Sequence, residues 1–272
     1  MPPKVSIIVP SYNYAKFLPF ALDSIMAQTM TDWECVIVDD GSKDDTWHVA
    51  RAYVNKDGRF RYVYQQNSGL SAARNMGMNV GTGEYLQFLD ADDMIDAEKL
   101  YLQSAYLDKH PEVDILYGDE GFFHTDSPDE KLKGRDKSYN REQYLKVSGS
   151  GEALVKALSV NNFISVSSPL VRRSLVAKVG NFDTSYKSYE DWHFWFRAAV
   201  AGATFLYEPI PGSETYIRYG HTSMLTNKVK LVEAGIRMRK FMMPKLPLSR
   251  KGYNAYRMLK LYTRKLFQSS IK

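Results

Sequence analysis

Residues 5–90 alternate between short apolar runs and segments in which apolar residues recur at helical spacing. "VSIIVP" (5–10) and "CVIVDD" (35–40) are apolar runs rich in β-branched residues, and "RFRYVYQQ" (59–66) and "YLQFLD" (85–90) are two further strand-like runs. Continuous apolar strands are typical of a sheet that is covered on both faces. The alternation therefore predicts an α/β fold with a mostly parallel central sheet and helices on both faces.

Polar residues stand where three of these strands end. Ser11 ends the first strand, Asp39 and Asp40 end the second, and "DADD" (90–93) ends the fourth. The carboxyl ends of parallel strands meet at one edge of a sheet, where open sheets bind ligands, so we expect these side chains to lie close together. Two close carboxylates repel each other by about 1 kcal/mol in water. Either a bound cation offsets that repulsion at 90–93, or the segment is a solvated turn in which Asp93 caps the next helix. The dipeptide "DG" at Asp40 is also a turn signal.

Beyond residue 115 the strand pattern is less regular. The polar segment 118–145 predicts a hairpin or a flexible flap, and 163–171, 203–209 and 214–219 predict further strands. "YEDWHFWFRAAVAG" (189–202) predicts an apolar helix that opens with two acids.

The net charge of +5 is distributed unevenly along the chain. Residues 228–272 contain thirteen Lys or Arg and one acid, Glu233, so this segment carries +12 and the rest carries −7. The segment predicts either an amphipathic surface that meets anionic lipid or a pair of helices that pack on the main domain with a solvated basic face. No recognition motif accompanies the charge, so we expect no nucleic-acid partner.

Cysteine content and hydropathy predict a protein of the cell interior. Cys35 is the one cysteine, so no intrachain disulfide is possible, which is consistent with a reducing compartment. No apolar run reaches the roughly eighteen residues of a membrane span, and the N-terminal apolar stretch is too short for a signal peptide. We expect a cytoplasmic location, either in solution or peripheral on the inner face of the membrane.

Taken together, the motifs resemble the family-2 glycosyltransferases, which have the GT-A fold, a Rossmann-like α/β architecture. The resemblance covers about residues 4–225 and depends on six segments in the family's order and spacing: "VSIIVPSYNYAKFL", "VIVDDGSKDDT", "NSGLSAARNMGM", "YLQFLDADD", "VGNFDTSYKSYEDWHFWFRAAVAG" and "YIRYGHTSM". It implies a transferase domain over 1–225, with a nucleotide-binding half (1–115) and an acceptor-binding half (116–225). Residues 226–272 would then form a basic helical C-terminal extension.

The resemblance implies that the strand ends bind a sugar-nucleotide diphosphate. Asp90 would face the ribose, and Asp92 would bind Mn²⁺ or Mg²⁺, because a hard dication held by a carboxylate neutralises a diphosphate. Asp39 would accept a hydrogen bond from the ring N–H of uracil. The other nucleotide-binding residues that the resemblance implies are Pro10, Ser11, Tyr12, Asn67, Arg74 and Ala91. The alternatives are that Tyr12 is an ordinary half-buried aromatic and that Arg74 is a solvated helix charge.

The acceptor half is centred on the acids at 190–191. The resemblance implies that Asp191 is the general base, which removes the proton of the acceptor hydroxyl as that oxygen attacks the anomeric carbon. Glu190 would orient the acceptor or the neighbouring helix. Burial beside Trp192 would raise the pKa of Asp191, although both acids also suit a helix N-terminus without any catalytic role. His221 is implied as a metal ligand or diphosphate contact, and Arg218 as a group that neutralises the leaving group; the alternative for each is a surface residue.

The resulting prediction is an inverting glycosyltransferase of the hexosyltransferase type. It would use a nucleotide-sugar donor, expected to be a UDP-sugar, and a hydroxyl of a glycan or lipid-linked acceptor. "YIRYGHTSM" differs from the Q-x-x-R-W signature of processive polysaccharide synthases, so we expect single additions. A nucleotidyltransferase is disfavoured because "VPSYNYAKF" lacks a glycine-rich loop with lysine or arginine. A non-catalytic module that binds sugar nucleotides or glycans is the other alternative, and the joint presence of Asp90, Asp92 and Asp191 argues against it.

Overall fold

Strands and helices alternate in the first half of the chain, as the sequence predicts. The computed structural model describes residues 2–133, 146–220 and 228–269. The elements of the first half are β1 (Val5–Ser11), α1 (Leu18–Met26), β2 (Trp33–Asp39), α2 (Thr46–Lys56), β3 (Phe60–Tyr64), α3 (Leu70–Val80), β4 (Tyr85–Phe88), β5 (Met94–Ile95) and α4 (Lys99–Lys109).

The second half contains shorter strands and ends in two long helices. Its elements are β6 (Ile115–Tyr117), β7 (Glu120–His124), β8 (Ser127–Lys133), α5 (Gly151–Val160), β9 (Leu170–Arg172), α6 (Arg173–Val179), α7 (Glu190–Val200), β10 (Phe205–Tyr207), β11 (Thr215–Tyr219), α8 (Lys228–Met242) and α9 (Leu248–Ser269), with a 3₁₀ turn at Met243–Lys245 between the last two.

Within the described residues, seven strands form a central sheet in the order β10-β6-β9-β4-β1-β2-β3. β1 is parallel to β2 and β4, β2 is parallel to β3, and β10 is parallel to β6. β9 is antiparallel to both of its neighbours, β4 and β6. The prediction of a mostly parallel sheet is confirmed. The strand predicted at 163–171 is confirmed only at its end, because β9 begins at Leu170.

Side chains that alternate along β1 and β2 divide the core between the two faces of this sheet. Ile7 and Ile37 pack in a cluster with apolar residues of α1, α2 and α4, whereas Ile8 and Val36 pack with residues of α3, α5 and α7. Burial of each such side chain contributes about 1.5–3 kcal/mol. The prediction of helices on both faces is therefore confirmed.

A smaller sheet lies beside the ends of the central strands. In the described part of the chain its order is β5-β11-β7-β8, with β7 and β8 antiparallel. These two strands confirm the hairpin predicted in 118–145, of which residues 134–145 lie outside the described residues. Pairing of Thr215 with Ile95 brings β11 next to the acidic turn at 90–93.

Helices α8 and α9 form an antiparallel hairpin. Arg239 contacts Asn254, and Glu233 pairs with Lys265, so the two helices run in opposite directions. Met238 and Met242 of α8 are buried in the same cluster as residues of α7. The predicted C-terminal helices are therefore present and pack on the main domain. None of the helices in the described ranges is long and apolar enough to span a membrane.

Candidate active site

β1, β2 and β4 end at one edge of the central sheet. Ser11 is paired with Asp39 at the ends of β1 and β2, and the amide of Leu89 donates to the carbonyl of Ile8. Asp90 follows directly and begins the acidic turn. The structure thus brings one set of sequence-predicted residues together along this edge: Pro10, Ser11, Asp39, Asp90 and Ala91.

Asp39 lies among polar groups at the end of β2. Its buried carboxylate accepts hydrogen bonds from the Tyr62 hydroxyl (2.7 Å) and the Ser42 amide (2.8 Å). A carboxylate has about four lone-pair sites, so acceptor capacity remains. Ser11 lies opposite Asp39 in the sheet register. Its hydroxyl is buried with no hydrogen-bond partner among the described residues, as is typical of a site that receives a polar group. Tyr12 is 44% exposed, so its ring is accessible to a ligand.

The loops that follow β1 and β2 are joined to each other by hydrogen bonds. Asn13 has a left-handed backbone (φ 57°), which is uncommon for a residue other than glycine. Its side-chain oxygen accepts from the Lys43 amide (2.7 Å), and its own amide donates to the Ser42 hydroxyl oxygen (2.9 Å). The Ala15 amide donates to Asp44 (2.9 Å). Backbone strain of this kind persists where the surroundings hold it in place, so these bonds fix the two loops relative to each other beside Asp39.

Asp40 shapes the loop between β3 and α3. Its carboxylate accepts hydrogen bonds from the Gln65 side-chain amide (2.6 Å) and from the backbone amides of Ser68 and Gly69 (both 2.8 Å). Its carbonyl accepts from the side-chain amide of Asn67 (2.9 Å). These contacts support a turn-shaping role for Asp40, and they hold the exposed Asn67 beside the end of β2.

Asp93 attaches the acidic turn at 90–93 to two distant parts of the chain. It is buried, and it accepts hydrogen bonds from the Ser167 hydroxyl (2.7 Å) and the Arg218 amide (3.1 Å). Burial, followed by the charges of Asp92 and Asp90, raises the pKa of Asp93 well above its ordinary value. The expectation that Asp93 caps the next helix is wrong, because α4 begins only at Lys99 and Asp93 binds other elements.

Arg74 links the acidic turn to α7. Its guanidinium donates to Asp90 (2.7 Å) and to Glu190 (2.7 Å), and its side chain is 1% exposed. The alternative of a solvated helix charge is therefore wrong. Both contacts hold the guanidinium between two carboxylates, so any effect of Arg74 on a nucleotide would pass through Asp90.

Arg218 lies behind the acidic turn. Its guanidinium stacks on the rings of Phe17, Phe20 and Phe123, at 4.3–4.9 Å, and its Nε–H donates to the carbonyl of Asp92 (3.0 Å). Its two terminal nitrogens are buried with no acceptor among the described residues. Burial lowers the pKa of Arg218. The surface-residue alternative is therefore wrong, and the side chain supports the backbone of the turn.

Asp191 lies in the first turn of α7. Tyr189, just before this helix, has a left-handed backbone (φ 61°). The Asp191 carboxylate accepts hydrogen bonds from the Asn162 side-chain amide (2.8 Å) and the Trp192 amide (2.7 Å). Burial, and then the charge of the neighbouring Glu190, raise the pKa of Asp191 to about 7. A carboxyl group with this pKa can both accept and release a proton near neutral pH.

The acidic turn has the donor chemistry of a site for Mg²⁺ or Mn²⁺. Asp90 and Asp92 are partly exposed carboxylates, and their charges raise the pKa of the half-buried Tyr14 hydroxyl, after the larger effect of its desolvation. No group of three or more His, Cys, Asp or Glu side chains in the described ranges could hold an ion by itself. Such ions are often bound through one or two carboxylates, with phosphate and water as the other ligands, so these residues fit. His221 lies outside the described residues.

Sequence reasoning missed three polar residues of this site. Tyr62 could have been found from the alternation of side chains along neighbouring strands. It pairs with Ile37, which lies two residues before Asp39, so Tyr62 and Asp39 share a face of the sheet. Ser167 and Asn162 had no such signal, since their partners Asp93 and Asp191 lie 74 and 29 residues away along the chain.

Comparison with known proteins identifies relatives of this chain. Residues 6–166 match the model of glycosyl transferase family 2. The putative glycosyltransferase EpsH of Bacillus subtilis (strain 168) is 30% identical over 242 residues, which cover 86% of this chain and 66% of that protein. The chain spans less than two thirds of several other curated relatives, 28% of one and 58% of another.

Two solved structures share the fold. The crystal structure of S. aureus TarS 1–349 in complex with UDP-GlcNAc has a TM-score of 0.67 at 22% identity, over 96% of this chain and 72% of that one. The mannosyltransferase PcManGT from Pyrobaculum calidifontis, in complex with GDP-Man and Mn²⁺, has a TM-score of 0.70 at 19% identity, over 97% and 74%. At these identities the likeness concerns the fold alone, and it confirms the predicted GT-A class.

Proposed function

Because the chain belongs to glycosyl transferase family 2, we propose that it transfers a sugar, with inversion, from a nucleotide diphosphate sugar to a hydroxyl of a glycan or lipid-linked acceptor. The observation that carries this proposal is the double ion pair of Arg74. It ties Asp90, at the strand ends, to Glu190, the neighbour of Asp191. The groups suited to a donor are therefore held close to the helix that carries the proposed base.

On the donor side, Asp39 and Ser11 would bind the base, and Tyr12 would stack on it. Asp39 offers an acceptor between hydrogen-bonded neighbours, which suits the imide N–H of uracil, so we propose a UDP-sugar. The complexes of TarS with UDP-GlcNAc and of PcManGT with GDP-Man and Mn²⁺ support a nucleotide-sugar donor. Asp90 would accept from the ribose. Mn²⁺ or Mg²⁺ held by Asp92 would offset the charge of the departing diphosphate.

On the acceptor side, Asp191 would act as the general base. The amides of Asn162 and Trp192 orient its carboxylate, and its pKa of about 7 leaves a large ionised fraction at neutral pH. Asp191 would take the hydroxyl proton while the oxygen attacks the anomeric carbon on the face opposite the diphosphate. One displacement inverts the configuration, and no covalent intermediate with the protein forms.

We also propose that the transferase domain spans residues 1–225, as nucleotide-binding (1–115) and acceptor-binding (116–225) halves, with 226–272 as its extension. Buried Met238 and Met242 support an extension that is docked on the domain rather than trailing from it.

Thermal unfolding with a panel of nucleotides tests the donor assignment. A ligand at about a hundred times its Kd adds about 2.7 kcal/mol to the free energy of unfolding. We expect UDP with Mn²⁺ to raise Tm more than GDP or CMP with Mn²⁺, and EDTA to remove most of the rise. A larger shift with GDP would overturn the uracil assignment, and the absence of any shift with every nucleotide would overturn the proposed donor site.

A further inference from the structure

Helix α9 carries an apolar stripe that faces away from the rest of the protein. Leu248, Leu259 and Tyr262 lie on one side of the helix, because their spacing follows the helical period. Tyr256 and Phe267 widen the stripe at its edge. Leu248 is 84% exposed, Leu259 62% and Phe267 72%. Exposed side chains that line up in this way indicate a surface for a partner, unlike apolar residues scattered singly.

The opposite side of α9 packs on α8. Asn254 is buried and donates to the carbonyl of Arg239 on α8 (2.9 Å). The Leu261 side chain lies against α8 at Gly235, where an added Cβ would approach Leu261 Cδ1 to 3.1 Å. These contacts fix the rotation of the helix about its axis, so the apolar stripe is held outward.

The positive charge of α9 indicates which kind of partner its apolar stripe would bind. The helix contains six Lys or Arg and no acid. By helical spacing, Lys251 lies along one edge of the stripe and Lys260 along the other. An exposed apolar stripe flanked by basic residues suits the interface of an anionic bilayer, where each Lys or Arg near the surface contributes about 1 kcal/mol. We propose that α9 lies in the surface of an anionic phospholipid membrane, with this stripe in the acyl boundary.

Helix α8 lies between α9 and the segment that precedes the proposed base. Gly235 of α8 lies between Leu261 of α9 and the Tyr189 ring, which precedes the helix that carries Asp191. Arg237 of α8 also donates to the carbonyl of Ser185 in the loop that precedes α7 (2.5 Å). A membrane under α9 would therefore be separated from the start of α7, where Asp191 lies, by α9 and α8.

Sedimentation with vesicles tests the proposal without any nucleotide sugar, so its outcome is independent of the proposed reaction. The whole chain is mixed with vesicles of phosphatidylcholine alone or of equal parts phosphatidylcholine and phosphatidylglycerol. We expect binding to the anionic vesicles at low salt and little binding to the neutral ones. The double variant Leu259→Glu/Phe267→Glu should lower the partition coefficient at least about tenfold, because it loses apolar area and adds two negative charges.

The matched control is Trp47→Glu/Tyr101→Glu. It makes the same change in net charge at exposed aromatic residues of α2 and α4, and it should bind like the wild type. Equal binding to both lipid mixtures, no binding to either, or wild-type binding by the α9 variant would overturn the proposal. So would light scattering that detects a dimer which the α9 variant converts into a monomer, because the stripe would then be a contact between copies. Circular dichroism of both variants checks that the fold is intact.

Discussion

The surroundings of the Asp191 carboxyl group disfavour its ionised form. Burial and the neighbouring Glu190 raise its pKa from 3.8 to about 7. Between these two pH values the folded chain binds this proton more tightly than the unfolded chain does, so the stability that the protonated group contributes is lost as pH rises toward 7. A side chain that cannot ionise at this position does not lose stability as pH rises.

We therefore expect Asp191→Asn to be more stable than the wild type at pH 8, by about 2 kcal/mol after allowance for the partial exposure of the site. The gain should shrink as pH falls toward 4, where the wild-type carboxyl is protonated in the folded state. Urea unfolding across this range measures both free energies. A variant that is less stable than the wild type at pH 8 would contradict the raised pKa.

Arg74 gives a second prediction, because it is the shared partner of Asp90 and Glu190. Arg74→Met leaves both carboxylates without their cation, and removing one partner of a buried ion pair costs about 3–5 kcal/mol. We expect a loss near the lower value, since Asp90 is 35% exposed. Urea midpoints measure it.

The control for Arg74 is Arg51→Met, which removes an exposed arginine of α2 and should change stability by less than about 0.5 kcal/mol. The double variant Arg74→Met/Glu190→Gln should recover part of the loss, because one of the unpaired charges is gone. Equal effects of Arg74→Met and Arg51→Met would show that the ion pairs do not hold the two elements together.

Individual site residues could be predicted from the sequence where a local pattern exposes them. Asp39 and Asp90 follow apolar strands, and Asp191 opens an apolar helix, so their neighbourhoods could be inferred. The partners could not be inferred in the same way. The contact of Arg74 with Glu190 joins residues 116 positions apart, and no local pattern encodes such a pairing.

Helix α3 sets the position of Arg74 by its close approach to β1. Gly77 faces Ile8, and an added Cβ would overlap Ile8 Cγ2. Gly77→Ala would normally gain helix stability, by roughly 0.5–1 kcal/mol, but crowding in a packed core costs about 1–3 kcal/mol. We expect a net loss of stability of about 1–2 kcal/mol, measured as a lower urea midpoint.

Gly58→Ala is the matched control for this contact. An added Cβ at Gly58 meets nothing within 4 Å, and the residue does not need a positive φ. Its effect should stay within about 0.5 kcal/mol. If Gly77→Ala were as mild as Gly58→Ala, α3 would not be held against β1 by this contact.

Elements with a strong period could be predicted, and those set by tertiary pairing could not. β1 and β2 are apolar throughout, and all seven residues of each are buried. β9 has three residues and exists because it fills the space between β4 and β6. Helix α5 begins at Gly151, within a stretch whose glycines and serines favour a loop. It forms because its apolar side chains are buried in one cluster with those of α7.

For the whole molecule, composition indicated a basic C-terminal segment but left its placement open. Charge counts do not reveal which side of a helix is packed. The structure confirms that the two helices pack on the protein, and it shows that the outer side of α9 is apolar and exposed. Contact of that side with anionic lipid stays a proposal. The GT-A fold itself could be predicted because six motifs in order constrain it together.

Hydrolysis of the nucleotide sugar, with water in place of the acceptor hydroxyl, tests most directly whether Asp191 activates a nucleophile beside a bound donor. We expect wild-type turnover to rise as pH passes about 7, following the ionisation of Asp191. Asp191→Asn should lower turnover by about 10²- to 10⁴-fold and abolish this pH dependence, while its thermal stabilisation by UDP and Mn²⁺ remains. A variant that turns over at the wild-type rate with the wild-type pH profile would contradict the account.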